Sequence, residues 1–368
     1  MLDPATLPDV PWDALSEAAA VARAHPGGLV DLSIGSPVDP TPAVVQEALV
    51  AAADAHAYPR AAGTPALRAA LIDWHERRRG VRDLTDDEVM PTIGSKELIA
   101  GLALWLGLGP GDTVVHPRLA YPSYAVGAAL AGATALASDD PAEWPTSTRL
   151  VWVNSPRNPD GAVLDVPGLR AVVDRARELG AVVAADECYA ELGWEGEWSD
   201  RPTPSILDPR VVGDVRDGVL AVGSLSKQSN LAGYRAGFVA GDAAVVARLL
   251  ALRRHAGLVP PAPVQAAMVA ALGDDAHVAE QKEAYRTRRV LLAQAVTAAG
   301  FRVEGSDAGL FLWATRDEGA WRSVAWLARR GVLVSPGSFS GPGGDRHVRV
   351  ALTASDERVR AALDRLIP

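Results

Sequence analysis

The sequence predicts an α/β protein, a wound domain with a largely parallel sheet joined to a smaller α+β domain. Three observations carry this expectation. Seven short apolar, β-branched runs fall at 89–93, 113–116, 134–138, 149–154, 181–185, 219–223 and 236–240. Most are continuous rather than alternating, as in strands buried on both faces. Helical stretches at 95–107, 122–131 and 167–179 lie between them, and such alternation builds a wound sheet. The pattern then changes in the C-terminal third.

Taken in order, the run EVMPT at 89–93 leads into Gly94-Ser95-Lys96-Glu97, which opens the apolar helix LIAGLALWL. The helix at 167–179 has Pro167 near its start and Gly180 just past its end, the expected asymmetry of helix punctuation. Residues 242–256 and 263–297 read as two alanine-rich helices, with Gly300 closing the second. Strands at 301–304, 309–314, 332–334 and 347–352 then alternate with helices at 320–330 and 356–366. At 368 residues, two closely packed domains are expected. The division is a large domain over 36–245 and a small one combining 1–35 with 246–368.

Composition removes several functional classes. A formal charge of −9 argues against a nucleic-acid-binding surface. The one basic run, Arg77-Arg78-Arg79 with Arg82, is expected to be a solvated helix end. Cys188 is the single cysteine, so no internal disulfide forms and a reducing compartment fits. The first residues carry no positive charge before Arg23 and no apolar core, so no secretion signal is expected. The apolar stretch from Leu98 to Pro110 is too short to span a bilayer. A cytoplasmic protein is expected. The seven histidines show no ligand spacing, and His75-Glu76 has Arg79 where HExxH needs its second histidine. No metal is expected, and each histidine is placed at the surface or a helix end.

Of 36 basic residues, only Lys96, Lys227 and Lys282 are lysines. Chemistry that needs an amine thus has three candidates. Ser224-Leu225-Ser226-Lys227 contains S-x-x-K, the nucleophile signature of penicillin-recognising enzymes. Those enzymes also need a lysine in a K-T-G strand, and the only later lysine, Lys282, sits in Gln-Lys-Glu on an expected surface. Lys227 reads better as the reactive group. It follows a buried strand, and desolvation or a nearby cation would free its amine for a Schiff base; its plainer role is a loop lysine. Gly94-Ser95-Lys96 offers a helix N-terminus as an anion site, although Ser95 also suits simple capping. Arg235 would pair with the same anion or with a surface carboxylate. Asp186, after the run AVVAA, sits at a strand end where α/β proteins bind ligands; capping the loop is its plainer role.

Asn158-Pro159-Asp160-Gly161, Asp186-Glu187-Cys188-Tyr189, Ser224-Leu225-Ser226-Lys227 and Gly233-Tyr234-Arg235 follow one another in the order of a known signature. Together they resemble fold-type-I, class I/II aminotransferases, which use pyridoxal 5′-phosphate (PLP). Asp31-Leu32-Ser33-Ile34-Gly35, Tyr58 with Gly63 and Leu67-Arg68, Tyr121-Pro122, and Pro336-Gly337 with Val348-Arg349 also fall in family order. The resemblance covers nearly the whole chain and implies a seven-stranded, mostly parallel sheet.

It also implies roles. Lys227 would hold PLP and move the substrate Cα proton. Asp186 would bond the pyridine nitrogen, and Asn158 and Tyr189 the phenolic oxygen. Tyr121 would stack on the ring; Ser95, Lys96, Ser224 and Arg235 would bind the phosphate. Tyr58 would reach that phosphate from a neighbouring subunit, implying a homodimer. Arg349, with the Gly35 backbone and Asn158, would receive the substrate carboxylate, a task suited to a guanidinium. Three departures stand out: Asp160 where threonine is usual beside the charge of Arg157, the spacing of Arg118-Leu119-Ala120 before Tyr121, and Cys188 at a small apolar position.

The segments LPDVPWDAL, GLVDLSIGSPVDPTP, GTPALRAALIDWHERRRGV and NSPRNPDG most resemble the actinobacterial type of N-succinyldiaminopimelate aminotransferase. Membership implies glutamate as donor and a succinylated keto-pimelate as acceptor, within diaminopimelate and lysine formation. Arg253, Arg254 or Arg23 would then meet the distal carboxylates. The rival readings are an aspartate, alanine or aromatic aminotransferase and a C–S β-lyase of the same fold.

Overall fold

The computed structural model describes Leu7, Pro8 and residues 12–367. The parts of the N-terminal segment and of LPDVPWDAL at 1–6 and 9–11 lie outside the described residues. Twelve strands occur among those described: β1 (Val30–Leu32), β2 (Val89–Ile93), β3 (Thr113–His116), β4 (Thr134–Ala137), β5 (Thr148–Asn154) and β6 (Val182–Asp186) come first. They are followed by β7 (Val219–Ser224), β8 (Ala236–Gly241), β9 (Arg302–Val303), β10 (Phe311–Thr315), β11 (Val332–Pro336) and β12 (His347–Ala351).

Seven strands form one sheet in the order β2-β8-β7-β6-β5-β3-β4. All run parallel except β8, which is antiparallel to both neighbours. The continuous apolar runs follow from burial on both faces. Val151 and Val153 pack into one cluster, with Val183 and Ala185 beside them. The intervening Leu150 and Trp152 pack into another, with Ala184 and Leu220. The two-residue repeat of a strand sends successive side chains to opposite faces, and here neither face meets water.

The second sheet has the order β1-β11-β12-β10-β9. Here β1 pairs parallel with β11, although their residues lie about 300 positions apart in the chain. A separate apolar cluster, including Leu32, Leu312, Val334 and Val350, covers this sheet.

Four expectations need correction. The stretch 263–297 is two helices, Ala262–Gly273 and Asp275–Ala298, because Asp274 leaves helical geometry and its side chain caps the Ala276 N–H at 3.0 Å. The basic run does end a helix, Pro65–Arg79, at the left-handed Gly80, but it is solvated only at Arg77 and Arg82. Arg79 is buried against Glu187, and Arg78 pairs with Glu191. His75 is likewise no surface group; at 2% exposure it packs against Trp74 and Phe238. Lys282 is half-buried, its amine 3.2 Å from the Ser199 carbonyl. No described helix is long and apolar enough to cross a membrane, and the described residues hold no cluster of metal-ligating groups.

Candidate active site

In parallel sheets, loops at the carboxyl ends of the strands form the binding crevice. The ends of β5, β6 and β7 carry Asn154, Asp186 and Ser224, and β2 leads straight into Gly94. These termini border a cavity of about 270 Å³ that β12 closes from the second sheet with Arg349. Gly35, Ser95, Lys96, Tyr121, Asn158, Asp186, Tyr189, Ser224, Lys227, Arg235 and Arg349 all line it. Tyr58 does not; it is fully exposed.

Lys227 sits in the single turn Leu225–Gln228 that follows β7. Its amine donates to the Gly35 carbonyl, in the segment after β1. Burial pulls the amine below the usual lysine value, with the Arg349 and Arg235 charges acting in the same direction. This is the desolvated, cation-flanked setting that makes a lysine nucleophilic. Gly35 must lack a side chain here, since a Cβ would lie 2.6 Å from the Phe311 ring.

On one side of the cavity lies an anion cradle. The helix Gly94–Trp105 begins at Ile93 with no side-chain cap, leaving first-turn N–H groups open toward Ser95 and Lys96. Free N–H groups and the helix dipole favour an anion there. Gly94 has φ of +67°, and a Cβ would run into the Arg235 guanidinium. Arg235 is held by the Ala232 carbonyl at 2.8 Å, and the Ser224 hydroxyl lies 2.9 Å from that of Ser226.

Asp186 is 5% exposed at the opposite side. Burial holds its carboxyl above the usual carboxylate value, with hydrogen bonds from Cys188 and Tyr124 offsetting only part of that effect. Tyr189 is buried, and its phenol is pushed well above its ordinary range, chiefly by burial, so it stays a neutral donor. Tyr121 stands half-buried at the cavity edge with the Lys96 amine 5.8 Å from its ring. The Asn158 N–H is anchored on the Asn154 Oδ1 at 2.8 Å.

Arg349 enters from β12, opposite Ser335 of β11 and Trp313 of β10. It donates to the Asn158 Oδ1 at 3.1 Å and to the Ser33 carbonyl at 2.8 Å, and lies 4.3 Å from the Phe311 ring centre. Asn158 and the Ser33 carbonyl thus hold the guanidinium at the cavity wall.

Several lining residues escaped the sequence reading. Asn154 ends a buried strand as Asp186 does, so the same signal marks it. Tyr124 and Phe311 look like core aromatics, and no local signal separates them. The departures at Arg157 and Asp160 explain each other: the two side chains form a paired bond at 2.8 and 2.5 Å that closes the turn. Of the arginines expected at the distal end of a substrate, Arg253 is buried in a bidentate pair with Glu97. Arg254 and Arg23 are exposed and line none of this cavity.

A wound sheet whose strand ends gather a desolvated lysine, a buried aspartate and an anion cradle defines a fold-type-I enzyme. The class I and II aminotransferase profile matches residues 28–366, and the chain belongs to that family. A probable aminotransferase of Mycobacterium tuberculosis, Rv1178, is 56% identical over 363 residues, covering 98% of this chain and 86% of that protein. The Streptomyces rimosus 4-dedimethylamino-4-oxo-anhydrotetracycline transaminase OxyQ is 55% identical over 361 residues, covering 98% and 99%. Among solved structures, N-succinyldiaminopimelate aminotransferase of M. tuberculosis matches with a TM-score of 0.85 at 28% identity, covering 96% of each chain.

The family is PLP-dependent, and the residues present fit that cofactor. The cavity offers an amine for the aldehyde, a buried carboxylate for the ring nitrogen and an uncapped helix N-terminus beside Arg235 for the phosphate.

Proposed function

We propose that this aminotransferase takes its amino group from glutamate and delivers it to N-succinyl-2-amino-6-oxopimelate, in diaminopimelate and lysine formation in the cytoplasm. The observation that carries the catalytic part is the meeting of Lys227, Asp186, the Gly94–Lys96 cradle and Arg349 around one cavity. The likeness to the M. tuberculosis enzyme supports the acceptor.

In this reading Ser95, Lys96, Ser224 and Arg235 hold the phosphate, Asn158 and Tyr189 the phenolic oxygen, and Tyr121 lies against the ring. Bound PLP supplies the electron sink that lets the substrate Cα–H bond break. Asp186 keeps a negative charge opposite the pyridine nitrogen. Lys227 would take the substrate Cα proton on its Nζ and deliver it to C4′, the cofactor carbon bonded to the substrate nitrogen. Arg349, with the Gly35 backbone and Asn158, fixes the α-carboxylate so that this proton faces Lys227. Residues 36–245 form the cofactor-binding domain, with 1–35 and 246–368 the smaller one; the membership of β2–β8 in one sheet supports this. The fully exposed Tyr58 suits a homodimer in which it reaches the phosphate of the other subunit.

A second acceptor is favoured by a specific observation. The cations lining the cavity are Lys96, Lys227, Arg235 and Arg349, and this reading gives each of them a task at the cofactor or the α-carboxylate, so distal carboxylates would need further cations. An uncharged ring ketone, as in the name of OxyQ, needs none. Initial rates with glutamate and each acceptor, followed by 2-oxoglutarate release, decide between them and test aspartate, alanine and aromatic specificity. Pyruvate release from cystathionine would instead mark a β-lyase. PLP-loaded protein should bleach on adding L-glutamate, and Lys227→Ala should lose at least about 100-fold in rate. A protein that neither binds PLP nor responds to any amino acid would overturn the reading.

A further inference from the structure

We propose that Tyr124 is a positioning residue that holds the Asp186 carboxylate as an anion facing the cavity; this rests on the proposed role of Asp186 opposite the pyridine nitrogen. Tyr124 lies in the helix Ser123–Ala131, three residues after Tyr121, and is completely buried. Its ring stacks on Trp152 with centres 5.2 Å apart and planes at 28°. A ring clamped this way cannot swing its hydroxyl to water. The hydroxyl donates to the Asp186 Oδ2 at 2.9 Å, and the Cys188 N–H donates to Oδ1 at 3.2 Å. Each carboxylate oxygen has a donor, which fixes the rotamer of Asp186 and favours its ionised form against the opposing effect of burial.

The direction of the bond is settled by chemistry. An ionised carboxylate only accepts, and burial, reinforced by the Asp186 charge, keeps the Tyr124 phenol protonated. Burial favours a neutral Asp186, and the Cys188 and Tyr124 hydrogen bonds oppose it. The other groups facing this pair are the Cys188 thiol, which burial keeps protonated and which donates to Asp186, Lys227, which acts on Asp186 through its charge, and Tyr189, with Arg349 and Arg235 behind Lys227. Without the Tyr124 hydroxyl, Asp186 would hold a proton more tightly and compete with the pyridine nitrogen for it.

The test uses the full-length, PLP-loaded protein. Tyr124→Phe should lower kcat roughly ten-fold, the size of a lost hydrogen bond to a charge, with KM for glutamate little changed. The acid limb of kcat should move to higher pH, and the pH midpoint of the visible absorbance without substrate should move with it. Difluorotyrosine at position 124 keeps the shape and donates more strongly, so it should move the acid limb to lower pH. Trp152→Phe disturbs the packing, keeps the hydroxyl and should leave the limb in place. If Tyr124→Phe matches the wild type in kcat, acid limb and absorbance while Asp186→Asn is inactive, the role of Tyr124 is overturned and that of Asp186 stands. If Asp186→Asn also behaves as wild type, the site reading itself fails.

Discussion

Arg79 and Glu187 form an ion pair at 3.1 Å in which the arginine side chain is wholly excluded from solvent. Arg79 ends the helix Pro65–Arg79, and Glu187 directly follows Asp186. Glu187 also accepts from the Ser205 hydroxyl at 3.0 Å and the Ile206 N–H at 2.6 Å. The pair thus ties a helix end to the turn that carries Asp186, Cys188 and Tyr189. Arg79→Met strands a buried carboxylate and should cost about 3–5 kcal/mol in denaturant unfolding. Adding Glu187→Gln should recover much of that loss. A double variant as unstable as the sum of the two singles would show that the pair does not interact.

Acid should destabilise the protein through His75. Burial lowers its imidazole from the usual 6.5 to about 4, so the folded state refuses a proton that the unfolded chain accepts. The stability present above pH 6.5 is lost as pH falls toward 4, by about 3 kcal/mol. His75→Gln should flatten that slope between pH 6.5 and 4. Equal slopes in the variant and the wild type would remove His75 as the cause.

Gly94→Ala should weaken cofactor binding selectively. The positive φ strains an alanine, and its Cβ displaces the Arg235 guanidinium from the cradle. The dissociation constant for PLP should rise roughly 10- to 100-fold. That for pyridoxal, which lacks the phosphate, should stay near the wild-type value. A parallel loss for both ligands would point to general damage rather than to the cradle.

If Arg349 receives the substrate carboxylate as proposed, Arg349→Lys should lower kcat/KM for glutamate roughly 10- to 100-fold, because an ammonium cannot offer a two-pronged grip on a carboxylate. Initial-rate kinetics over a range of glutamate concentrations would measure it. An unchanged value would take Arg349 out of substrate binding.

Parts of the site are legible because their signals are local. Asp186 and Lys227 each follow a continuous apolar run, and a polar group at the end of a buried parallel strand faces the crevice. Asn154 carries the same signal at the end of β5. Tyr124 does not, since an aromatic on an apolar helix reads as core until its hydroxyl is seen 2.9 Å from a carboxylate 62 residues away. The basic run at 77–79 reads as a solvated helix end for the same reason: charge is visible in the chain, whereas the partner that permits burial is not.

The sequence by itself determined the strand periodicity, with its requirement for cover on both faces, and the chemical types at the strand ends. Those are properties of short windows. Only the tertiary structure decided which of the 33 arginines leave water. Arg79 meets Glu187 across 108 residues, Arg253 meets Glu97 across 156, and Arg349 meets Asn158 across 191. A buried guanidinium needs a partner brought to it, and that partner arrives only with packing: a strand-end turn for Arg79, a neighbouring helix for Arg253 and the other sheet's loop for Arg349.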